Sequence, residues 1–186
     1  MGGVSTPQPR ADRFVDPVLD PREGGPLIGD ERAILTEFLR TQRLTLQLKC
    51  EGLDAEQLAR RAVEPSSMSL LGLLRHMAEA ERSWCRRRFA GQDATSRYRT
   101  EAEPDADFDG AVADQAVVDE AWAAWREEVA FAEQFTRDTD LDFIGRTSDD
   151  EPISLRTTLV HMIEEYARHN GHADLLRERI DGRLGE

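Results

Sequence analysis

The stretch HMIEEYARHNGH, residues 161–172, concentrates side chains that can bind a metal ion. It contains three of the four histidines in the 186-residue chain, and two adjacent glutamates, Glu164 and Glu165, lie among them. Imidazole nitrogens and carboxylate oxygens are ligands that Zn²⁺ commonly takes in proteins. The stretch is therefore either a solvated helix face that is rich in histidine or part of a metal site.

The helical period separates the two glutamates. At about 100° per residue, Glu165, His169 and His172 point into the apolar stripe of the helix or along its edge. Glu164 points to the solvent side. A carboxylate at the edge of a core is tolerated when it is paired, hydrogen-bonded or bound to a metal. The pattern therefore predicts a partner for Glu165 and a solvent-facing Glu164.

The fourth histidine, His76, lies on the flank of the apolar stripe of another predicted helix. A histidine facing a Glu and a His four residues apart can supply three ligands to one divalent ion, with positions left open for water or substrate. Facing helices of a bundle build such sites. The residues alone also allow His76 to be an ordinary core histidine and Glu165 with His169 to be a pair that only fixes packing. The HExxH motif of zinc proteases and the paired ExxH motifs of di-iron bundles are absent from the sequence.

Four long helices must position these residues, and their ends can be predicted from local signals. Asp30 and Ser154 are the expected N-caps of the first and last helices, and Gly52 and Gly182 are their expected stops. Either of the two serines after Pro65 is a candidate cap for the second helix. The four predicted helices cover about residues 30–52, 68–90, 112–138 and 155–180.

The connections between the predicted helices are long. Residues 91–110 are polar and acidic without periodicity, which predicts a surface loop, and residues 138–153 can hold a short extended piece. Residues 1–29 hold five of the eight prolines and predict an irregular N-terminal arm. The fold class is therefore all-α, with a four-helix bundle of long crossover connections as one domain over residues 30–186.

Composition restricts the classes of partner. The formal charge is −13 with a pI near 4.8, which makes nucleic acid and anionic membrane surfaces poor partners. No apolar run is long enough to span a membrane, and the N-terminus has no signal-peptide pattern. Cys50 and Cys85 do not form a CxxC motif, so reduced thiols in a cytoplasmic protein are expected, with one disulfide as the alternative.

Two stretches, SLLGLLRHMAEAERSW at residues 69–84 and SLRTTLVHMIEEYARHNGHADLLRERIDG at residues 154–182, resemble the DinB superfamily, in particular its actinobacterial mycothiol-transferase-like branch. The resemblance extends over most of the chain from about Asp30 and implies a DinB-like four-helix bundle. It also implies a divalent metal bound by His76, Glu165 and His169. Many members have histidine at the middle position, and Glu165 resembles the maleylpyruvate isomerase branch instead. Zinc is the expected metal, and an oxygen ligand also admits nickel, iron or manganese.

The resemblance further implies a metal-dependent thiol transferase whose co-substrate is mycothiol. The metal-bound thiolate would attack a small electrophile. His161 and His172 are the candidate catalytic residues. His161 would orient a ligand or relay a proton, with a packing role as the alternative. His172 would lie behind the metal ligands or face the substrate, and it is the substitute ligand if Glu165 does not bind the metal. Arg156 and Arg168 are the candidates for binding a carboxylate of the cofactor or substrate, and a homodimer is also implied. The competing function is a metal-binding or purely structural stress-related bundle without turnover.

Overall fold

The computed structural model describes residues 14–16 and 18–185. Within them the chain forms six α-helices and one two-stranded hairpin. The first three helices are α1 (Glu31–Cys50), α2 (Ala55–Ala59) and α3 (Leu70–Glu81), and α3 continues directly as a π-helical segment, Arg82–Phe89. The remaining elements are α4 (Ala106–Asp109), α5 (Gln115–Asp138), β1 (Ile144–Arg146), β2 (Pro152–Ser154) and α6 (Leu155–Asp181).

Four long helices enclose the core, so the all-α prediction is confirmed. Helix α1 packs against α6, α3 packs against α5, and α3 also contacts α6. The antiparallel β1–β2 hairpin, in which Ile144 pairs with Ser154, is the extended piece expected between the last two long helices. Fully buried aliphatic side chains fill the space between the helices, among them Leu46, Leu70, Leu73, Met77, Leu155 and Met162. Among the described helices, none combines the length and the apolar character needed to cross a membrane.

Local capping determines where the long helices begin and end. Asp30 and Ser154 cap α1 and α6 as predicted, and Gly182 ends α6 in the left-handed region with φ of 78°. The prediction for the second helix is wrong, because Ser69 caps α3, with its hydroxyl accepting from the Gly72 amide at 3.0 Å. The hydroxyl of Ser66 instead accepts from the amide two residues later, in a local turn that precedes the helix.

The prediction of a surface loop over residues 91–110 is wrong at its C-terminal end, where α4 forms a helical turn against α3. Arg75 of α3 fixes this turn by donating to the backbone carbonyls of Ala106 at 3.0 Å and Asp107 at 2.8 Å. As a result, the side chain of Asp107 is buried within a stretch that is otherwise acidic and largely exposed.

A buried polar network connects all four long helices. Arg43 of α1 donates to both carboxylate oxygens of Glu81 of α3, at 2.7 and 2.9 Å. The Tyr166 hydroxyl of α6 donates to Glu81 at 2.9 Å and accepts from the indole N–H of Trp125 of α5, also at 2.9 Å. Because every member is paired, the network places a charged pair inside the core without leaving an unsatisfied group.

The described part of the predicted N-terminal arm has no helix or strand, and Phe14 attaches it to the bundle. The Phe14 ring is buried, with the ammonium of Lys49 4.0 Å and the guanidinium of Arg183 3.9 Å from its centroid. Residues 1–13 and Pro17, which also belong to the predicted arm, lie outside the described residues.

Candidate metal centre

His76, Glu165 and His169, the three predicted metal ligands, meet at one point between α3 and α6. Each offers one ligand atom, and these atoms lie within 4.8 Å of one another. Oε1 of Glu165 is 3.7 Å from Nε2 of His76 and 3.7 Å from Nε2 of His169. A tetrahedral zinc ion with bonds of about 2.0–2.1 Å holds its ligand atoms roughly 3.3 Å apart. Two imidazoles and a carboxylate at these distances therefore fit a divalent cation after a small closure.

Helix α6 gives the two adjacent glutamates different environments, as its periodicity predicts. Glu165 and His169 are one turn apart on the side that faces α3, and the Glu165 side chain is 28% exposed. Glu164 is exposed on the other side of the helix. The cluster is open to solvent on one side, since the His76 side chain is also 18% exposed. A small molecule can therefore reach the three ligand atoms from outside.

Asp107, which sequence reasoning missed, fixes the orientation of His76. Its Oδ2 lies 2.9 Å from Nδ1 of His76, so Nε2 is directed at Glu165. The Phe108 ring stacks on the imidazole with a centroid distance of 5.1 Å. A carboxylate on the outer nitrogen of a metal-binding histidine selects its tautomer and raises its basicity as a ligand. The Asp107–His76 pair is therefore the arrangement expected behind a metal ligand.

The environment of Asp107 keeps its carboxylate ionised. Burial alone would raise the pKa of Asp107, but the hydrogen bond and charge of His76, the charge of Arg99 and the Phe108 amide together lower it below its usual value. When the His76 ring is neutral, an ionised carboxylate accepts its Nδ1 proton and leaves Nε2 with a free lone pair. In the sequence, the one weak sign of the α4 turn that carries Asp107 is Phe108, an aromatic residue between two aspartates shortly after Pro104.

His172 occupies the corresponding position behind His169. Its Nδ1 lies 3.4 Å from Nδ1 of His169, whose Nε2 faces Glu165. Burial, together with the nearby charges of His76, His172 and Arg168, lowers the pKa of His169 to about 4 against the opposing charge of Glu165. His169 is therefore neutral at physiological pH, which is the form of imidazole that binds metals.

The other predicted site residues are at different distances from this cluster. His161 contacts the Trp84 ring edge-on at 5.1 Å and precedes His169 by eight residues, about 12 Å along α6. Arg156 lies still further along the helix and forms salt bridges with Glu31 and Asp142. Arg168 is exposed, next to His169 in the sequence. The structure thus places His172 beside the cluster and His161 one turn of α6 before Glu165, whereas Arg156 lies away from the cluster.

The two cysteines are free, buried and unsuited to nucleophilic chemistry. Burial raises the pKa of the Cys50 thiol to about 12 and also raises that of Cys85 well above its usual value. Both thiols are therefore protonated at neutral pH, whereas the thiolate is the reactive form. A thiolate that reacts near the metal ligands has to come from another molecule.

Comparison with known proteins identifies the family. The sequence matches the family described as Mycothiol-S-transferase over residues 34–182, from the first turns of α1 to the C-cap of α6. No curated protein and no solved structure matches the sequence significantly. The matched region contains all four long helices and the whole His76–Glu165–His169 cluster, and the chain belongs to the mycothiol-S-transferase family.

Proposed function

We propose that this protein is a metal-dependent thiol transferase that joins mycothiol to small electrophiles. One observation carries the proposal: Nε2 atoms of two imidazoles face a single carboxylate at 3.7 Å each, in a cluster that is partly open to solvent. The outer nitrogens of both imidazoles have partners, Asp107 and His172. Family membership supports a thiol as the co-substrate.

The cluster has three protein ligands, as catalytic zinc sites do, whereas structural zinc sites are closed by a fourth. A divalent cation held by His76, Glu165 and His169 would lower the pKa of a thiol and stabilise its thiolate. Three protein ligands leave a coordination position for the thiol, and two nitrogens with one oxygen suit zinc. The carboxylate also admits nickel, iron or manganese.

The transfer itself moves one proton and forms one bond. The thiol loses its S–H proton, and the sulfur donates an electron pair to form an S–C bond with the electrophile. That carbon then releases its leaving group with the bonding electrons, or, in an addition to a double bond, the neighbouring carbon takes up a proton. His172 is half-buried beside His169 and is our candidate for holding the thiol proton.

Metal content and thiol consumption test the proposal together. We expect the zinc-supplemented protein to retain about one ion per chain and to consume mycothiol in the presence of 1-chloro-2,4-dinitrobenzene. His76→Ala, Glu165→Gln and treatment with a chelator should each remove most of the metal and most of the turnover. Glu164→Gln is the matched control, because this neighbouring glutamate is exposed and faces away from the cluster, and it should change neither quantity.

The competing role, a cation that only stabilises the bundle, is favoured by one observation. The cluster and Asp107 connect α3, α4 and α6, so a bound ion would hold three elements together. This role predicts that zinc raises the melting temperature while mycothiol is not consumed with any of a broad panel of electrophiles. That result would contradict thiol transfer, and the absence of bound zinc would contradict both roles.

A further inference from the structure

A second site of unusual composition lies where the π-helical segment meets the β1–β2 hairpin. It is an open cavity of about 380 Å³. The residues that line it are Ser83, Arg87, Arg88, Arg146, Thr147 and Ser148. Three of them carry a positive charge, the other three carry hydroxyls, and none is acidic. In a chain with a formal charge of −13, this cavity is a local surface that attracts anions.

The arginines at the cavity retain hydrogen-bonding capacity. Arg88 donates through Nε to the hydroxyl of Ser83 at 3.2 Å, and among the described residues it forms no ion pair. Arg146 donates through one terminal nitrogen to the carbonyl of Asp150 at 2.7 Å, and its Nε lies 3.7 Å from the exposed carboxylate of the same residue. A guanidinium has five N–H donors, so most of the donors of Arg88 and Arg146 remain available for an added anion.

Arg87, another residue that lines the cavity, has an unpaired donor in the described part of the chain. Its Nε is buried and has no hydrogen-bond partner among the described residues. Within residues 14–16 and 18–185, the one carboxylate close to it is that of Glu79, at 3.4 Å from a terminal nitrogen. A buried N–H without an acceptor is costly, and native structures contain few of them.

The charges at the cavity also repel one another. Burial lowers the pKa of Arg88, and the neighbouring charges of Arg87 and Arg99 lower it further, against the opposing charge of Asp149. A bound anion would relieve this repulsion, because opposite charge nearby stabilises a guanidinium.

The π-helical segment that lines one side of the cavity continues directly from α3, the helix that carries His76. Ser83 follows His76 by seven residues, about 10 Å along the helix axis. Between them, the Trp84 ring of the π-helical segment contacts His161 of α6 at 5.1 Å, and the Arg88 guanidinium lies over the same Trp84 ring at 4.7 Å. Glu165 of the cluster follows His161 by one turn of α6, so a row of side chains leads from the cluster through His161 and Trp84 to Arg88 at the cavity.

We propose that the cavity binds the carboxylate of the electrophilic substrate while its reactive carbon lies at the His76–Glu165–His169 cluster. This inference rests on the proposed thiol transfer and adds the substrate class, an extended organic acid. Guanidinium groups bind carboxylates through paired, charge-assisted hydrogen bonds, and the hydroxyls of the cavity can donate to the same anion. Phosphate shares this recognition chemistry, so the experiment includes both anions.

Equilibrium binding tests the anion site without any need for turnover. Calorimetric titration of the metal-free protein with succinate should show binding that weakens at least tenfold in Arg88→Gln and in Arg146→Gln. The matched control is Arg126→Gln, which removes another arginine stacked on a tryptophan, Trp122, at 5.0 Å. The proposal is overturned if succinate does not bind, if the control weakens binding equally, or if inorganic phosphate binds more tightly than succinate.

Turnover with two maleimides then tests the substrate assignment. We expect Arg88→Gln to raise KM for 6-maleimidohexanoate, an acid, at least tenfold and to leave KM for the neutral N-ethylmaleimide unchanged. An equal effect on both compounds would overturn the assignment. If neither maleimide consumes mycothiol with the metal-loaded wild-type protein, thiol transfer fails and the substrate assignment fails with it, while succinate binding still decides whether the anion site exists.

Discussion

The two histidines of the cluster differ in what fixes their outer nitrogens. His76 has the buried carboxylate of Asp107 at 2.9 Å, whereas His169 has the imidazole of His172 at 3.4 Å. An ionised carboxylate is the stronger acceptor and raises the basicity of the ring more than an imidazole does. His76 should therefore be the ligand whose metal affinity depends most on the residue behind it.

Substitution of Asp107 tests this dependence. Asp107→Asn removes the negative charge behind His76 but keeps nearly the same side-chain volume, and we expect zinc affinity to fall about 10- to 100-fold. Competitive titration with a zinc-binding dye measures the affinity. Asp109→Asn is the control, because Asp109 lies on the same helical turn but is exposed and paired with an exposed arginine, Arg61. Equal losses in the two variants would contradict a specific role for Asp107.

The sequence could predict Glu165 and could not predict Asp107, for a physical reason. Glu165 and His169 are neighbours on one helix, so their shared face follows from the helical period alone. Asp107 reaches His76 across 31 residues of chain, through a four-residue helix that Arg75 fixes by bonds to backbone carbonyls. Contacts of this kind depend on tertiary packing, and the acidic stretch around Asp107 shows no periodicity from which it could be inferred.

At the level of the helices, the Arg43–Glu81–Tyr166–Trp125 network contributes to stability through complete pairing. Tyr166→Phe removes the hydroxyl and leaves the buried Trp125 N–H without an acceptor. We expect a loss of about 1–3 kcal/mol in the free energy of unfolding, measured by urea denaturation. Tyr98→Phe is the control, since the Tyr98 hydroxyl bonds an exposed carboxylate, Glu120, and its loss should change stability by less than about 0.5 kcal/mol. Equal stability of the two variants would contradict this interpretation.

Helix α3 packs closely against α4 at Gly72, where a larger side chain should not fit. A Cβ atom added at Gly72 would lie 2.9 Å from Cδ1 of Phe108, the ring that stacks on His76. Gly72→Ala should therefore lower the free energy of unfolding by about 1–3 kcal/mol through overpacking and should weaken zinc binding. Thermal melts with and without zinc measure both effects.

Gly171 supplies the matched control in α6. A Cβ atom added there meets nothing within 4 Å. Because alanine favours helix over glycine, Gly171→Ala should raise the free energy of unfolding by up to about 1 kcal/mol. Destabilisation by Gly171→Ala, or a neutral Gly72→Ala, would contradict the packing described for these two positions.

The ends of the helices could be predicted because capping interactions are local. The π-helical segment could not be predicted, because it depends on contacts with another helix. Asp30, Ser154 and Gly182 act within one turn of their own position, so the sequence carries the whole signal. The change from α- to π-helix at Arg82 has no such signal. It accompanies tertiary pairing, since Arg82 and Arg86 both reach the buried carboxylate of Glu128 on α5.

In the whole molecule, the basic side chains of this strongly acidic protein include three groups with different surroundings. Several arginines neutralise buried carboxylates, as Arg43 does for Glu81 and Arg82 for Glu128. Others line the cavity beside the hairpin. A third set surrounds the ring of Phe14 near the C-terminal ends of α1 and α6, where Arg177 and Arg183 join Lys49. Cations at helix C-termini also offset the negative end of the helix dipole.

Phe14 therefore links the N-terminal arm to the stability of the bundle. Its ring covers Lys49, a nearly fully buried lysine that forms a 2.7 Å salt bridge with Asp174. Phe14→Ala removes the buried apolar surface and the cation–π contacts, and we expect a loss of about 2–4 kcal/mol in the free energy of unfolding. Access of water to the Lys49 ammonium offsets part of this loss. Urea denaturation of the full chain measures the change.

A second arm residue separates attachment at Phe14 from a general effect of the arm. Leu27 is 95% exposed, so Leu27→Ala removes a large apolar side chain that has almost no buried surface. It should change the free energy of unfolding by less than about 0.5 kcal/mol. Since the metal ligands lie at the middle of α3 and α6, neither substitution should alter zinc affinity when it is measured well below the melting temperature. A Phe14→Ala variant as stable as Leu27→Ala would show that the cations near Phe14 do not hold the arm.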